Sequence, residues 1–179
     1  MTMGIDAMQS AQPAAQRRDA DRLAVVDLQD RRGPELFGLA RRLGLTAEEA
    51  DDAVQEALLR VWLALDGGTP IRQLDAWAFR TLYRICMDQH RWRRRARLLT
   101  ERVRPSNEVR DLTATRLAVW DAVDQLPERQ RAVVYLRYRA DLTFEQIGEV
   151  LGIAAVSARS HASRAIDRLG SLLSREDFR

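Results

Sequence analysis

Residues 143–169 read TFEQIGEVLGIAAVSARSHASRAIDRL, and this stretch decides the fold. It opens on Thr143 with Gln146 three residues later, the signature of a capping box. The threonine hydroxyl accepts from the third helical amide while the glutamine side chain reaches back to the threonine amide. Ile147 and Leu151 recur at helical spacing, and Gly152 stands where this short helix must end. A second helix starts at about Ala154. Its Ala158, Ala162, Ala165 and Leu169 form a small apolar face that can approach Ile147 and Leu151 closely. Ser157, Ser160, His161 and Arg164 form a polar face, with Arg159 on its flank. A capped helix, a glycine turn and a second helix make the helix-turn-helix pattern, in which the second helix enters the DNA major groove. Arginine pairs with guanine edges there, and serine can donate or accept. The competing interpretation of the same spacing is a solvated amphipathic helix in an ordinary bundle.

Toward the N-terminus, Pro127 opens a helix over about Glu128 to Arg139, and another runs from near Thr113 to Leu126. Residues 98–112 lose periodicity around Pro105-Ser106-Asn107, which marks a domain boundary and a flexible linker. Before it, a helix starting near Asp75 buries Ala78, Leu82, Ile85 and Cys86. On another face it carries Trp77, Arg80, Arg84, Asp88 and Arg91, and Arg93, Arg94 and Arg95 continue it. Arginines attract backbone phosphates and aromatic rings stack on unpaired bases, so this face suits a partly single-stranded nucleic acid; the competing interpretation is that Trp77 belongs to the core and the arginines only keep the surface soluble. A second capping box, Thr46 with Glu49, opens a helix whose stripe is Ala50, Val54, Ala57, Leu58, Val61 and Leu65. Two more helices are expected upstream, one around Leu23–Leu28 and one from Pro34 to Gly44. Residues 1–20 read as a mobile tail.

Composition agrees with an all-α chain of two small domains. The 179 residues are 46% hydrophobic, with 9 glycines, 5 prolines and 6% aromatics. That is enough for a core and favours helices. The domains expected are 21–97 and 113–175. A single cysteine, Cys86, precludes an internal disulfide, and with His90 and His161 alone beside it a metal site is not expected. There is no glycine-rich phosphate loop, no GxSxG and no HExxH, so neither catalysis nor a cofactor is expected. No secretory leader and no membrane-length apolar run is present, which points to the cytoplasm.

The net charge is +3, all 29 basic residues are arginine, and the charges are segregated. From Leu45 to Asp66, Glu48, Glu49, Asp51, Asp52, Glu56 and Asp66 stand against Arg60 alone. From Arg72 to Arg104 ten arginines stand against Asp75, Asp88 and Glu101. The first cluster is either a solvated face or a docking surface for a basic partner; the second favours nucleic acid.

Four stretches together resemble the extracytoplasmic-function sigma factors. Ala50 to Trp62 (ADDAVQEALLRVW) is similar to that family's AEDxxQExFLxxW, and Trp77 to Arg94 to its WLxxIAxNxxxDxxRxxxR. Leu126 to Arg131 (LPERQR) is similar to LPxxxR. Leu142 to Ile153 with Arg164-Ala165 is similar to LSxxEIAxxLGI…RA. The resemblance spans roughly residues 20 to 173, in order, with a linker where the family has one. It implies a first domain that docks core RNA polymerase and melts the minus-ten promoter element. A second domain would read the minus-thirty-five duplex, and an anti-sigma factor would be a further partner. Asp51, Asp52, Gln55 and Glu56 then match the polymerase-facing stretch. Trp77, Arg80, Arg84, Asp88, Arg91, Arg93 and Arg94 fall on the melting helix, and Ser157, Arg159, Ser160, His161 and Arg164 on the recognition helix. The chain departs from the family with Ala78 for leucine, Arg84 for asparagine, Val156 for glycine and His161 for arginine. A stand-alone helix-turn-helix regulator and a helical adaptor without a DNA role are the competing functions.

Overall fold

The computed structural model describes residues 5–99 and 114–176, and every regular element among them is an α-helix. In chain order these are α1 (Ile5–Arg42), α2 (Ala47–Asp66), α3 (Leu74–Leu99), α4 (Ala114–Asp124), α5 (Glu128–Tyr138), α6 (Phe144–Leu151) and α7 (Ala155–Glu176). Both capping boxes form. Thr46 Oγ1 accepts from the Glu49 amide at 3.2 Å and Glu49 returns a bond to the Thr46 amide at 2.8 Å. At α6, the Thr143 and Gln146 bonds are 3.3 and 2.7 Å. Of the linker expected over 98–112, residues 98 and 99 close α3 and the rest lie outside the described residues.

The N-terminal reading is corrected. Where a tail and two helices are expected from the sequence, one helix of 38 residues runs from Ile5 to Arg42. Residues 5–20 are its first turns; residues 1–4 lie outside the described residues. Alanine, glutamine and arginine dominate that stretch and are good helix formers, so a helix nucleated by the packed half extends into it. Arg18 ties it to α2 through a 3.1 Å ion pair with Asp66. Periodicity is missing there because residues 16–20 are exposed and bury no stripe. Pro34 sits inside the helix instead of starting one, leaving the Asp30 carbonyl without its helical donor. Gly33 before it carries no Cβ, which removes one part of the clash that a proline imposes on its predecessor. Buried Leu28 before the proline and buried Leu36, Leu39 and Ala40 after it hold both halves on one core.

Packing then follows the predicted stripes. Ala50, Val54, Ala57, Leu58 and Val61 of α2 face Ala78, Phe79, Leu82, Ile85 and Cys86 of α3, and α1 closes the group. The apolar cluster continues into the second half through Ala132, Val133, Tyr135 and Leu136 of α5 and Ile147, Val150 and Leu151 of α6. A second cluster joins Val123, Leu126, Val134 and Ala165.

The two halves touch through specific chemistry as well as apolar area. Tyr135 Oη donates to the Glu35 carbonyl at 3.0 Å and lies over Gly38, where a Cβ would stand 2.1 Å from that oxygen. Arg42 pairs with Asp124 at 2.6 Å and its guanidinium sits 4.5 Å from the Trp120 ring centre. Arg131 donates to the Arg42 carbonyl at 2.8 Å, and Arg139 pairs with Glu35 at 2.9 Å. Beside these, α3 packs on α6, and Gln146 donates to Gln73 at 2.7 Å.

Candidate nucleic-acid interface

The turn between α6 and α7 depends on two glycines. Gly152 ends α6 with φ 67°, a left-handed conformation that favours glycine. The next residue folds straight back, its Ile153 amide donating to the Gly148 carbonyl at 2.9 Å. A Cβ on Gly148 would lie 2.7 Å from the Ile153 carbonyl oxygen, so a side chain there would push the turn away. Ala158, Ala162 and Ala165 are buried beneath α7, which fixes its outer face.

On that outer face Arg159, Ser160 and Arg164 are exposed, as expected, whereas Ser157 and His161 are half-buried. The Arg159 guanidinium lies 5.1 Å from the Phe144 ring centre, so its stem is braced against α6 while it remains exposed. Arg164 folds back on its own helix, donating to the Ser160 carbonyl at 3.2 Å. Burial, then the charges of Arg164 and Arg129, lower the His161 pKa, so its imidazole is neutral at pH 7. Its Nδ1 is buried without a hydrogen-bond partner. Ser163, which the sequence reading does not single out, and Val156, which it notes only as a departure from the family, stand exposed beside Ser160. Counting directly opposite the buried alanines would have found them.

On α3, Arg80, Arg84, Asp88, Arg91 and Arg94 are all exposed. Arg91 pairs with Asp88 at 3.1 Å, while Arg80, Arg84 and Arg94 have no acid partner among the described residues. Two residues are placed differently from the rest. Trp77 is half-buried and packs on the core cluster. Arg93 turns back onto the Glu49 carboxylate and the Gly44 carbonyl, which fastens the end of α3 to the turn before α2. That bond from Arg93 is the main reason the Glu49 carboxyl is held down at about 2. Trp92 escapes sequence reasoning altogether, although it follows Asp88 by four residues and is 70% exposed. Next to this face, Arg84, Asp88 and Arg91 form one wall of a groove whose other wall is Glu149–Leu151 of α6 with Gly152 after it.

Along α2, Asp51, Asp52, Gln55 and Glu56 form an exposed polar strip. Gln55 donates to Asp51 at 2.9 Å and Arg60 pairs with Glu56 at 2.6 Å, so Asp52 keeps the freest charge in it. Leu59, Trp62 and Leu63 continue the strip as an exposed apolar patch. Among the described residues no three metal-ligating side chains gather, and no helix is long and apolar enough to cross a membrane. Cys86 is buried, which pushes its thiol up to about 12.

Residues 28–98 match the family model described as Sigma-70 region 2, and residues 116–169 match Sigma-70, region 4. The chain is 32% identical over 156 residues to the ECF RNA polymerase sigma factor SigM of Mycobacterium tuberculosis, covering 86% of this chain and 79% of that protein. It is 30% identical to the ECF RNA polymerase sigma factor EcfG of Rhodopseudomonas palustris, covering 81% and 84%. Among solved structures, that of CnrH in complex with the cytosolic domain of CnrY superposes with a TM-score of 0.64 at 28% identity, covering 90% of this chain and 95% of that one. The sigma factor RpoE bound to the anti-sigma factor NepR from Bartonella quintana shares the fold, with a TM-score of 0.71 at 24% identity over 83% and 97% of the two chains.

Proposed function

The chain belongs to the extracytoplasmic-function sigma factors of the sigma-70 family, and from that premise we propose how its surfaces divide the work of promoter-specific initiation. The α2 strip of Asp51, Asp52, Gln55 and Glu56 docks core RNA polymerase. Its exposed acids offer a basic helix a surface that ions screen only partly. The α3 face of Arg80, Arg84, Asp88, Arg91 and Arg94 takes the minus-ten element and holds its melted strand. The α7 face of Arg159, Ser160 and Arg164, with Ser157 and neutral His161 at its edge, reads the minus-thirty-five duplex. The role is one of binding and positioning in the cytoplasm, without catalysis by this chain.

The observation that carries the reading is the pairing, in one chain, of a capped helix-turn-helix with a separate helix on which Arg80, Arg84 and Arg94 stand exposed with no acid partner among the described residues. One module suits intact duplex and the other suits opened strands. Since CnrH is captured with CnrY, an anti-sigma partner that covers these surfaces is part of the proposal. Run-off transcription with core polymerase tests it: transcripts from defined starts must require this chain, and permanganate must modify thymines in the minus-ten element. Binding of promoter DNA as a dimer on paired half-sites, with no effect on start selection, would identify a stand-alone regulator instead.

A further inference from the structure

Phe144 opens α6 directly after the Thr143 cap, and guanidiniums from both neighbouring helices lie over its ring. Arg159 of α7 stands 5.1 Å from the ring centre and Arg137 of α5 stands 5.4 Å from it. The ring is half-buried and packs against the core cluster. Its two cations are held differently. Arg137 donates to the Leu142 carbonyl at 3.0 Å and has the Asp141 carboxylate 3.9 Å away, so its donors serve the fold. Arg159 is exposed and makes no hydrogen bond or ion pair among the described residues. Glu145 is a neighbour, but its carboxyl is lowered mainly by its own backbone amide, and Arg159 is the smallest influence on it. What braces the Arg159 guanidinium is therefore the Phe144 ring.

We infer that Phe144 is a positioning residue for promoter reading: its ring holds Arg159 in the pose in which the guanidinium meets a base edge of the minus-thirty-five duplex. The inference deepens the function proposed above and rests on it. A free arginine side chain loses much rotamer freedom when it is fixed, and ordering it beforehand removes that cost from binding. The ring does this with chemistry that leaves the arginine usable. Its negative face attracts the cation as a whole and takes up none of the N–H donors that a base must receive. A carboxylate would hold the guanidinium by spending those donors, and would repel the flanking phosphates. Arg164 shows the contrast, because it already gives a donor to the Ser160 carbonyl. Arg137 and the Thr143 cap in turn hold the ring, so the pose of Arg159 is set by all three helices around it.

The test uses the chain assembled with core polymerase and duplex fragments carrying a minus-thirty-five element, each base pair exchanged in turn. R159A loses discrimination at one position. F144L, which keeps an apolar side chain without a ring face, weakens binding roughly 2- to 12-fold and blunts discrimination at that same position, while F144Y restores both. In the R159A background F144L has no further effect on DNA binding, although it lowers stability in urea equally in both backgrounds. Fluorinated phenylalanines at position 144 keep the shape and withdraw the negative ring face, so binding falls stepwise with fluorination. Equal weakening by F144L with and without Arg159 would make Phe144 a purely structural residue and overturn the inference, as would a flat fluorination series. R159A and F144L variants that weaken every sequence alike overturn it too, by placing Arg159 on a phosphate. A wild-type assembly that discriminates at no minus-thirty-five position would instead overturn the underlying functional reading, and this inference with it.

Discussion

Glu49 does three things at once: it closes the capping box of α2, receives Arg93 from α3, and so fixes the arginine-rich end of α3 beside Gly44. Its carboxyl, held at about 2 in place of the ordinary 4.5, stabilises the fold in full above about pH 4.5 and loses that effect as the pH falls toward 2. Urea unfolding of Glu49→Gln against wild type should therefore show a stability gap at pH 7 that narrows by pH 3. An equal gap at both pH values would mean the ion pair is not its source. Cys86 makes the opposite case, a group silenced by burial. With its thiol at about 12, only about one molecule in ten thousand is thiolate at pH 8. Iodoacetamide should leave it unmodified in the native protein and label it in urea, as mass spectrometry would read. Single residues were legible where spacing alone decides burial, as with Ala78, Leu82, Ile85 and Cys86. Trp77 and Trp92 were not separable this way, because a helical wheel ranks faces without saying which neighbour covers each. The destination of Arg93 depends on an acid 44 positions earlier in the chain.

At the level of elements, local chemistry carried much of the information. Thr-x-x-Glu and Thr-x-x-Gln each announce a helix start, and both caps form as read. Gly152 announces the turn, but Gly148 does not announce itself; its need appears only once Ile153 folds back over it. Thr143→Ala should cost about 1 kcal/mol by removing the cap. Gly148→Ala should cost about 1–3 kcal/mol by driving a methyl into the turn. Both changes are measurable by urea denaturation. On the proposed reading the glycine change also weakens minus-thirty-five duplex binding, because it shifts α7 relative to α6; unchanged binding and stability would show that the turn accommodates a Cβ. The start of α1 resisted prediction for a different reason. A helix that buries no stripe leaves no period in the sequence, and Pro34 reads locally as a beginning although packing on both sides carries the helix through it.

The contact between the two halves was invisible in the sequence. It is assembled from Glu35, Gly38 and Arg42 on α1 and from Asp124, Tyr135 and Arg139 on the far side of the chain, pairs separated by some 80 to 100 positions. The Gly38 site offers the sharpest perturbation. Gly38→Val places branched carbon where the Tyr135 hydroxyl sits, while Arg42→Ala removes an ion pair and a stacked guanidinium together. Either should raise the radius of gyration in small-angle scattering with helicity preserved in circular dichroism; an unchanged radius would show that apolar area alone holds the halves together. The close packing of α3 on α6 and of α6 on α7 has a metric consequence. Two helix spacings of about 10 Å leave α3 and α7 no more than about 20 Å apart. Sites named minus ten and minus thirty-five lie about 25 base pairs apart, or about 85 Å of duplex at ~3.4 Å per step. On the proposed reading, one molecule that reaches both marks must therefore part α3 from α6.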